Sequence, residues 1–319
     1  MREINTETLI GDMMIGDVDV AYSTYLGYDE IAHHSGVRDE DVWFALKGMD
    51  KQIKRLLGGN KYSPRQYQFV IQSDHGQTNG ATFKQRYGES FEDFVKSLLP
   101  LDVNMYANMS SNEDHFAEVY VPFSDKFKFL KNRNKEDDEK NLKESEVIVL
   151  ASGNLAMIYL TQWHHRLTYE EINEMFPQLI SEIVNNEYIG FILVRSSQKG
   201  DMAIGKNGIY YLGSGEIEGQ NPLEGFGDNI AKHLKRNSTF KYTPDILVNS
   251  FYDAENDEVC AFEELIGSHG GVGGSQSEPF ILYPSDWIVP DEEIVGAENI
   301  YKLLKTNLEN IKESSKIDK

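Results

Sequence analysis

The stretch that decides the fold runs from residue 67 to residue 76, YQFVIQSDHG. Its first six residues are a short apolar run of the kind that forms a buried strand, and Ser73-Asp74-His75-Gly76 follow it directly. Similar strand-like runs recur along the chain and alternate with amphipathic helical patterns. This alternation predicts an α/β fold with a mostly parallel sheet covered by helices on both faces.

The residues on either side of this stretch predict further elements. Val18 to Leu26 is predicted as a strand. Asp39 to Leu57 is predicted as a helix, because its apolar residues recur at spacings of three and four, and Trp43 is expected to lie in the core. Further strands are predicted at residues 147–151, 189–195, 208–212, 245–250 and 279–283. Further helices are predicted at residues 169–185, 222–235 and 298–312, with a hairpin at 253–262.

A charged segment divides the chain. Fourteen of the 22 residues from Asp125 to Glu146 are charged, and a segment of this composition cannot bury a core. It is interpreted as an exposed loop or solvated helix at a boundary. On this interpretation residues 1–124 and 241–319 form an α/β core, residues 125–146 form the boundary, and residues 147–240 form an inserted α/β lobe.

The composition limits the classes of partner. The 319 residues include 31 Lys and Arg against 52 Asp and Glu, a formal net charge of −21. A surface this acidic repels phosphate backbones, which argues against a nucleic-acid-binding or anionic-membrane module. The single cysteine, Cys260, excludes an internal disulfide and a thiolate metal cage. The sequence shows no signal-peptide-like start and no run of the roughly 18 apolar residues that span a bilayer.

Three short loops carry residue types that bind metals. In YDEIAHHSG, residues 28–36, Asp29 and His33 are four residues apart, so one helical turn would set a carboxylate and an imidazole on the same face. Asp74 and His75 form the second loop, and His269 stands in the Gly-rich third loop, GSHGGVGG. Asp and His ligands without Cys suit Zn²⁺ or Mn²⁺.

Each loop also has an ordinary structural explanation. Asp29 and His33 are compatible with a hydrogen bond at a helix start, the Ser-Asp-His-Gly loop with turn chemistry, and His269 with a loop histidine held by hydrogen bonds. The joint occurrence of three such loops after apolar strands, where open α/β sheets build their sites, favours a metal centre.

Other polar residues near these loops are weaker candidates. Asn154, Ser275 and Gln276 are candidates for contacts with a substrate, although turn formation explains each of them as well. His34 is expected to face solvent. The adjacent pair His164-His165 is interpreted as part of a surface loop, because neighbouring side chains point apart in regular structure.

The order of YDEIAHHSG, QSDHGQ and GSHGGVGG resembles the alkaline phosphatase superfamily of metal-dependent phosphohydrolases. The likeness is greatest to bacterial, phosphatase-like members of its nucleotide pyrophosphatase/phosphodiesterase-like branch, and it extends from about Val18 to Trp287. It implies a three-layer α/β/α sandwich with an inserted α/β lobe, and a site for two divalent metals, zinc or manganese.

The resemblance also assigns the metal ligands. It implies that Asp29, His33 and His269 bind one metal, and that Asp74 and His75 give two ligands to the second. The first three side chains should therefore converge within the coordination sphere of one ion. The other two should lie at the same edge of the fold.

One part of the family pattern is missing. In the family, a strand that ends in Asp and is followed by a Thr or Ser nucleophile lies well over a hundred residues upstream of the Asp-x-x-x-His motif. Only 28 residues precede Asp29 here. Local stand-ins, none of them assigned as the nucleophile, are Asp17, Asp19, Ser23 and Thr24. We therefore expect the chain to correspond to the C-terminal portion of a family member.

The resemblance implies a metal-dependent phosphohydrolase that acts on a phosphate mono- or diester of small size. For this chain we expect one tightly bound metal and low activity. The alternative is a catalytically inactive metal- or phosphate-binding remnant, or a subunit that is completed by an N-terminal half encoded upstream. Members of this branch are often attached to membranes and work outside the cytoplasm, so the resemblance is the only indication of location.

Overall fold

A computed structural model describes residues 1–108 and 145–317, with side chains to residue 313. Most of the charged segment at residues 125–146 lies outside the described residues, as does the predicted border at residue 124. The described chain is a mixed α/β structure, so the predicted fold class is confirmed.

Three helices form the N-terminal part of the molecule. They are α1 (Arg2–Ile15), α2 (Tyr28–Ser35) and α3 (Glu40–Asn60), and the first two pack against α3. The Asp39 side chain caps α3 by accepting a hydrogen bond from the Asp41 amide at 2.9 Å. The helix predicted from Asp39 to Leu57 is therefore confirmed.

Two predictions in this part are wrong. Residues 18–26, all of them described, form an irregular segment that hydrogen-bonds to α1 through the Tyr25 hydroxyl and the Thr24 carbonyl. They pair with no strand because they run beside a helix. The Trp43 side chain is 56% exposed, because the buried face of α3 is centred one position away. That face is formed by Val42, Ala45, Gln52 and Leu56.

In the described part of the chain, the main sheet has eight strands. In chain order they are β3 (Met105–Asn108), β4 (Val147–Ser152), β5 (Leu155–Leu160), β6 (Ile189–Ser196), β7 (Gly200–Gly205), β8 (Gly208–Tyr211), β9 (Ile217–Gly219) and β10 (Ile246–Ser250). Their spatial order is β3-β4-β5-β10-β6-β7-β8-β9. Among the described strands of this sheet, β3 and β4 pair in parallel and the others pair antiparallel.

The expectation of a mostly parallel sheet is therefore wrong. The reason is the length of the connections, because two-residue turns join antiparallel strands and parallel strands need a crossover. Gly153-Asn154 joins β4 to β5, and Lys206-Asn207 joins β7 to β8.

Both faces of the sheet are covered. Along β6, Ile192 and Val194 point into one apolar core, and Phe191 and Leu193 point into the other. The first core also contains side chains of α4 (Phe83–Tyr87), α5 (Phe91–Ser97), α6 (Tyr169–Met175) and α7 (Leu179–Asn185). The second contains side chains of α8 (Ile230–Ser238). The sheet thus has helices on each face, in agreement with three layers.

Two predicted helices have different bounds in the structure. The pattern at residues 169–185 forms the separate helices α6 and α7, because Pro177 between them cannot continue the hydrogen-bond ladder. The helix predicted at residues 222–235 begins at Ile230, after a series of turns. Among the described residues no helix has the length and apolar character needed to cross a bilayer.

Small sheets bring the predicted ligand loops together. β1 (Ile71–Gln72) pairs with β14 (Ile281–Leu282). In the other small sheet, β2 (Thr78–Asn79) lies between β12 (Glu258–Val259) and β13 (Gly267–Ser268), and β11 (Tyr252–Asp253) pairs with β12. The loop between β1 and β2 therefore lies beside the Gly-rich loop that follows β13. The last helix is α9 (Ala297–Ile317).

The position of β10 bears on the predicted division of the chain. The sequence assigns residues 246–250 to the core, whereas β10 lies between β5 and β6, two strands of the predicted inserted lobe. The division into a core and an inserted lobe remains a prediction.

Candidate metal centre

Helix α2 presents Asp29 and His33 on one face. The helix begins after Gly27 and ends at Gly36, and the Asp29 Oδ2 and His33 Nε2 atoms are 3.4 Å apart. The side chain of His33 is 8% exposed, whereas that of Asp29 is 42% exposed. The sequence prediction that one helical turn brings these two residues together is confirmed.

The Gly-rich loop reaches this helix through His33. The His33 Nδ1 atom donates to the Gly267 carbonyl at 2.7 Å, and the His33 carbonyl accepts from the Ile266 amide at 2.8 Å. His269, two residues after Gly267, places its Nε2 atom 3.6 Å from Asp29 Oδ1. The rings of His33 and His269 have centroids 5.0 Å apart. Asp29, His33 and His269 are therefore adjacent, although 234 residues separate His33 from Gly267.

The loop between β1 and β2 adds His75 to this group. Its ring stacks on that of His269 with centroids 3.6 Å apart, and its Nδ1 atom donates to the Gly76 carbonyl at 3.0 Å. Asp74 is more peripheral: its side chain is 87% exposed, and its Oδ2 atom is 3.6 Å from His75 Nε2. The loop turns at Gly76, where a Cβ atom would lie 2.2 Å from the Ser275 carbonyl oxygen.

The side chains form a donor set that fits a divalent cation. Asp29, His75 and His269 each offer one ligand atom, and these atoms lie within 4.8 Å of one another. A carbonyl can only accept, so the Nδ1 atoms of His33 and His75 carry a proton, and Nε2 is the ring atom through which either neutral imidazole would bind a metal. Metal-binding histidines usually have this arrangement. The sequence groups Asp29 and His269 with His33. Among the described residues, the group whose ligand atoms lie within 4.8 Å of one another contains His75 instead of His33.

The electrostatics of the group favour an anionic aspartate. Burial opposes ionisation of Asp29, but hydrogen bonds from His269, His33 and Gln77 outweigh it and lower the pKa of the carboxyl well below its usual value. Burial also opposes charging of His33. The hydrogen bonds with Asp29 and with the Gly267 carbonyl prevail, and they raise the pKa of this imidazole.

Gln77 is a site residue that the sequence did not suggest. Its side chain lies at the end of the same loop as His75, is 6% exposed, and donates from Nε2 to Asp29 Oδ1 at 2.5 Å and to the Asp29 carbonyl at 3.0 Å. Its Oε1 atom is buried and has no hydrogen-bond partner among the residues that the structure describes. The only signal in the sequence was its place directly after Ser-Asp-His-Gly.

Residues 3–193, more than half of the chain, match the family of type I phosphodiesterases and nucleotide pyrophosphatases. The chain belongs to this family. The family consists of phosphoester hydrolases and is part of the alkaline phosphatase superfamily that the motif order resembles. Neither a comparison with curated proteins nor one with solved structures found a match.

The phosphodiesterase family match does not include the whole donor set. Asp29, His33 and His75 lie within the matched residues, and His269 lies 76 residues past their end at residue 193. The matched residues contain two segments of the site. The third, which carries His269, is brought to them by the pairing of β13 with β2.

The three candidates for substrate contact are engaged within the protein. Asn154 has no exposed surface and hydrogen-bonds to Ser250, Gly271 and Val272. The Ser275 hydroxyl donates to Asp257 at 2.8 Å, and the buried Gln276 side chain donates to the Gly273 carbonyl. All three shape the Gly-rich loop, and a contact with a substrate remains a prediction for them.

The remaining candidates lie outside the donor set. Asp19 forms ion pairs with Arg65 and Lys312, and Asp17, Ser23 and Thr24 are exposed. His34 pairs with Glu30 at the surface. His165 pairs with Glu171, and both His164 and His165 are exposed, as predicted.

Proposed function

We propose that this chain binds a divalent metal through Asp29, His75 and His269 and hydrolyses a small phosphate mono- or diester. The observation that carries the proposal is the approach of one carboxylate and two imidazoles from three distant segments to within 4.8 Å. His33, whose Nε2 atom faces Asp29, is the fourth ligand in this proposal.

The protein groups divide the work. Asp29 supplies the negative charge that a cation requires, and Gln77 holds its Oδ1 atom. The carbonyls of Gly267 and Gly76 hold the proton on Nδ1 of His33 and His75, so both rings present Nε2. A bound divalent cation would supply Lewis-acid polarisation of a phosphoryl oxygen. The open side of the site, where Asp29 is 42% and His75 30% exposed, leaves room for the phosphoryl group.

A second candidate function is metal or phosphate binding without turnover. The observation that favours it is the position of Asp19, Ser23 and Thr24, none of which contacts the donor set in the described structure. In that case the chain is either an inactive remnant or a subunit that an N-terminal half completes. Both candidates share the metal centre, and they differ in turnover.

The test measures retained metal and turnover on the same samples. The purified chain is loaded with Zn²⁺ or Mn²⁺ and dialysed; elemental analysis then gives the metal content, and a chromogenic phosphodiester and monoester give the rate. We expect about one retained metal in the native chain, and its loss in His269→Ala. The matched control is His165→Ala, because His165 is an exposed histidine whose partner is Glu171.

The outcomes separate the candidates. One retained metal with slow turnover agrees with the proposal. His33→Ala and His75→Ala should each lower the retained metal, with the larger loss in His75→Ala, because His75 belongs to the group whose ligand atoms lie within 4.8 Å of one another. Two retained metals with robust turnover would mean that a nucleophile lies among the residues we left unassigned. No retained metal in the native chain would refute the metal centre.

A further inference from the structure

Two buried asparagines contact the loop that carries His269. Asn154 lies in the turn between β4 and β5 and is 0% exposed; Asn249 lies on β10 and is 1% exposed. Both belong to the main sheet, and neither contacts Asp29, His33 or His75. The proposed function uses neither of them. Burying an amide is costly unless its hydrogen bonds are made, so their partners indicate their role.

The partners are the backbone groups just after His269. Asn154 accepts from the Gly271 amide at 3.1 Å and donates to the Val272 carbonyl at 3.1 Å. Asn249 accepts from the Val272 amide at 2.9 Å and donates to the same carbonyl at 3.1 Å. The two side-chain amides therefore supply the hydrogen-bond donors and acceptors that a neighbouring strand would supply to the backbone of this loop.

The packing between the loop and the turn is equally close. A Cβ atom on Gly153 would lie 1.9 Å from the His269 carbonyl oxygen, and one on Gly271 would lie 2.5 Å from Asn249 Oδ1 and 2.6 Å from Asn154 Oδ1. The Gly153 amide donates to the buried carboxylate of Glu263, which fixes the turn itself. No side chain fits between the sheet and the backbone around His269.

We infer that Asn154 and Asn249 are positioning residues that hold His269 in place for metal binding. The loop is attached on its other side through Gly267 to His33 and through β13 to β2. With one side anchored to the segments of Asp29 and His75 and the other to the main sheet, the backbone that carries the His269 imidazole is held on both sides. The inference rests on the proposed metal site, and it explains why the ligand loop contacts a sheet that supplies no ligand.

Two substitutions test the inference by different routes. Asn154→Ala removes two hydrogen bonds to the loop, whereas Gly271→Ala keeps every polar group and pushes the loop away by a steric clash. The matched controls are Asn307→Ala and Gly213→Ala. Asn307, on the last helix, is a buried asparagine, 3% exposed, that hydrogen-bonds to Ile288 and Leu303. Gly213 has open space where a Cβ atom would stand.

The measurements are made with Zn²⁺ alone. Competition with a chelator gives the Kd for Zn²⁺, and amide hydrogen exchange at Gly271 and Val272 is measured on the metal-free protein. We expect Asn154→Ala and Gly271→Ala to raise the Kd by about 10- to 100-fold, as loss of residues that orient ligands does elsewhere, and to speed exchange at these amides. Both controls should bind Zn²⁺ within about twofold of the native chain.

The outcomes distinguish this inference from the proposed function. If His269→Ala leaves the Kd for Zn²⁺ unchanged, the metal site is wrong and the inference falls with it. If His269→Ala weakens binding while Asn154→Ala and Gly271→Ala bind like the controls, the metal site stands and the positioning role is refuted. If Asn154→Ala fails to fold, Gly271→Ala decides alone, because it removes no hydrogen-bonding group.

Discussion

Asp29 stands at the centre of the donor set, because its two carboxylate oxygens face different partners. Oδ2 faces His33, and Oδ1 faces His269 and receives the Gln77 amide. Without the amide the carboxylate keeps only its two histidine partners, and the geometry that an ion requires is less often populated. We expect Gln77→Ala to raise the Kd for Zn²⁺ by about tenfold, measured by chelator competition.

The same substitution should change stability little. Gln77→Ala removes two hydrogen bonds to Asp29, one to its half-exposed carboxylate and one to its carbonyl. It also removes a buried oxygen that has no partner among the described residues. The free energy of unfolding of the metal-free chain should therefore stay within about 1 kcal/mol of the native value. Gln52→Ala is the control, because Gln52 is a buried glutamine, 4% exposed, that bonds Arg55 on α3. Equal Zn²⁺ affinity in the two variants would show that Gln77 does not hold Asp29.

At the scale of elements, Glu170 links helix α6 to the turn after β6. Its carboxylate accepts from the Ser196 hydroxyl at 2.7 Å and from the Ser197 amide at 2.9 Å. Burial opposes ionisation, but the hydrogen bonds together prevail and lower the pKa of Glu170 to about 2. A lowered pKa in the folded state means that the stabilisation is complete above the unfolded pKa of about 4.3 and is lost as the pH falls towards 2.

This sign gives a prediction for pH. The difference in unfolding free energy between the native chain and Glu170→Gln should stay constant from about pH 7 to pH 5.5 and shrink below about pH 4.3. Its size at neutral pH should be roughly 1 kcal/mol, because solvent screens a carboxylate at the surface. Urea unfolding at a series of pH values measures it, with the exposed Glu182→Gln on α7 as control. A difference that does not change between pH 6 and pH 3 would contradict the role of Glu170.

The elements also show what the sequence could predict. Helix α3 and strand β6 are predicted almost to their ends, because the three- and four-residue spacing of the apolar residues of α3 and the continuous apolar run of β6 are local signals. The irregular segment at residues 18–26 was predicted as a strand, because composition does not report whether a neighbouring strand is present. The antiparallel order was missed because it depends on the two-residue turn at Gly153-Asn154, which was interpreted only as a turn.

The site divides in the same way. The pairing of Asp29 with His33 followed from a spacing of four residues, which any helix converts into one face. The stacking of His75 on His269 is a contact between loops, and no spacing in the sequence encodes it. Gln77 was missed for the same reason: its partner, Asp29, lies on α2, 48 residues away in sequence.

At the scale of the whole molecule, the donor set joins three parts of the chain, two that precede the described strands of the main sheet and one that follows them. Asp29 comes from the N-terminal helices, His75 from the loop between β1 and β2, and His269 from a segment that follows all eight strands of that sheet. In the unfolded chain these ligands are far apart. Binding of an ion at the site is therefore coupled to folding of the entire described structure.

Because of this coupling, the dependence of the unfolding free energy on the Zn²⁺ concentration reports how many ions the folded chain binds. An ion that binds only the folded chain adds RT ln(1 + [L]/Kd) to the free energy of unfolding, about 2.7 kcal/mol at 100 times the Kd. Above the Kd, each tenfold rise in free Zn²⁺ then adds about 1.4 kcal/mol for one ion and about twice that for two. We expect the slope for one ion at low free Zn²⁺, because Asp74 is too exposed to complete a second strong site. Urea unfolding in Zn²⁺ buffers measures the slope. His269→Ala should flatten it and His165→Ala should leave it unchanged, whereas the two-ion slope from the lowest concentrations would mean that both metals bind tightly to this chain.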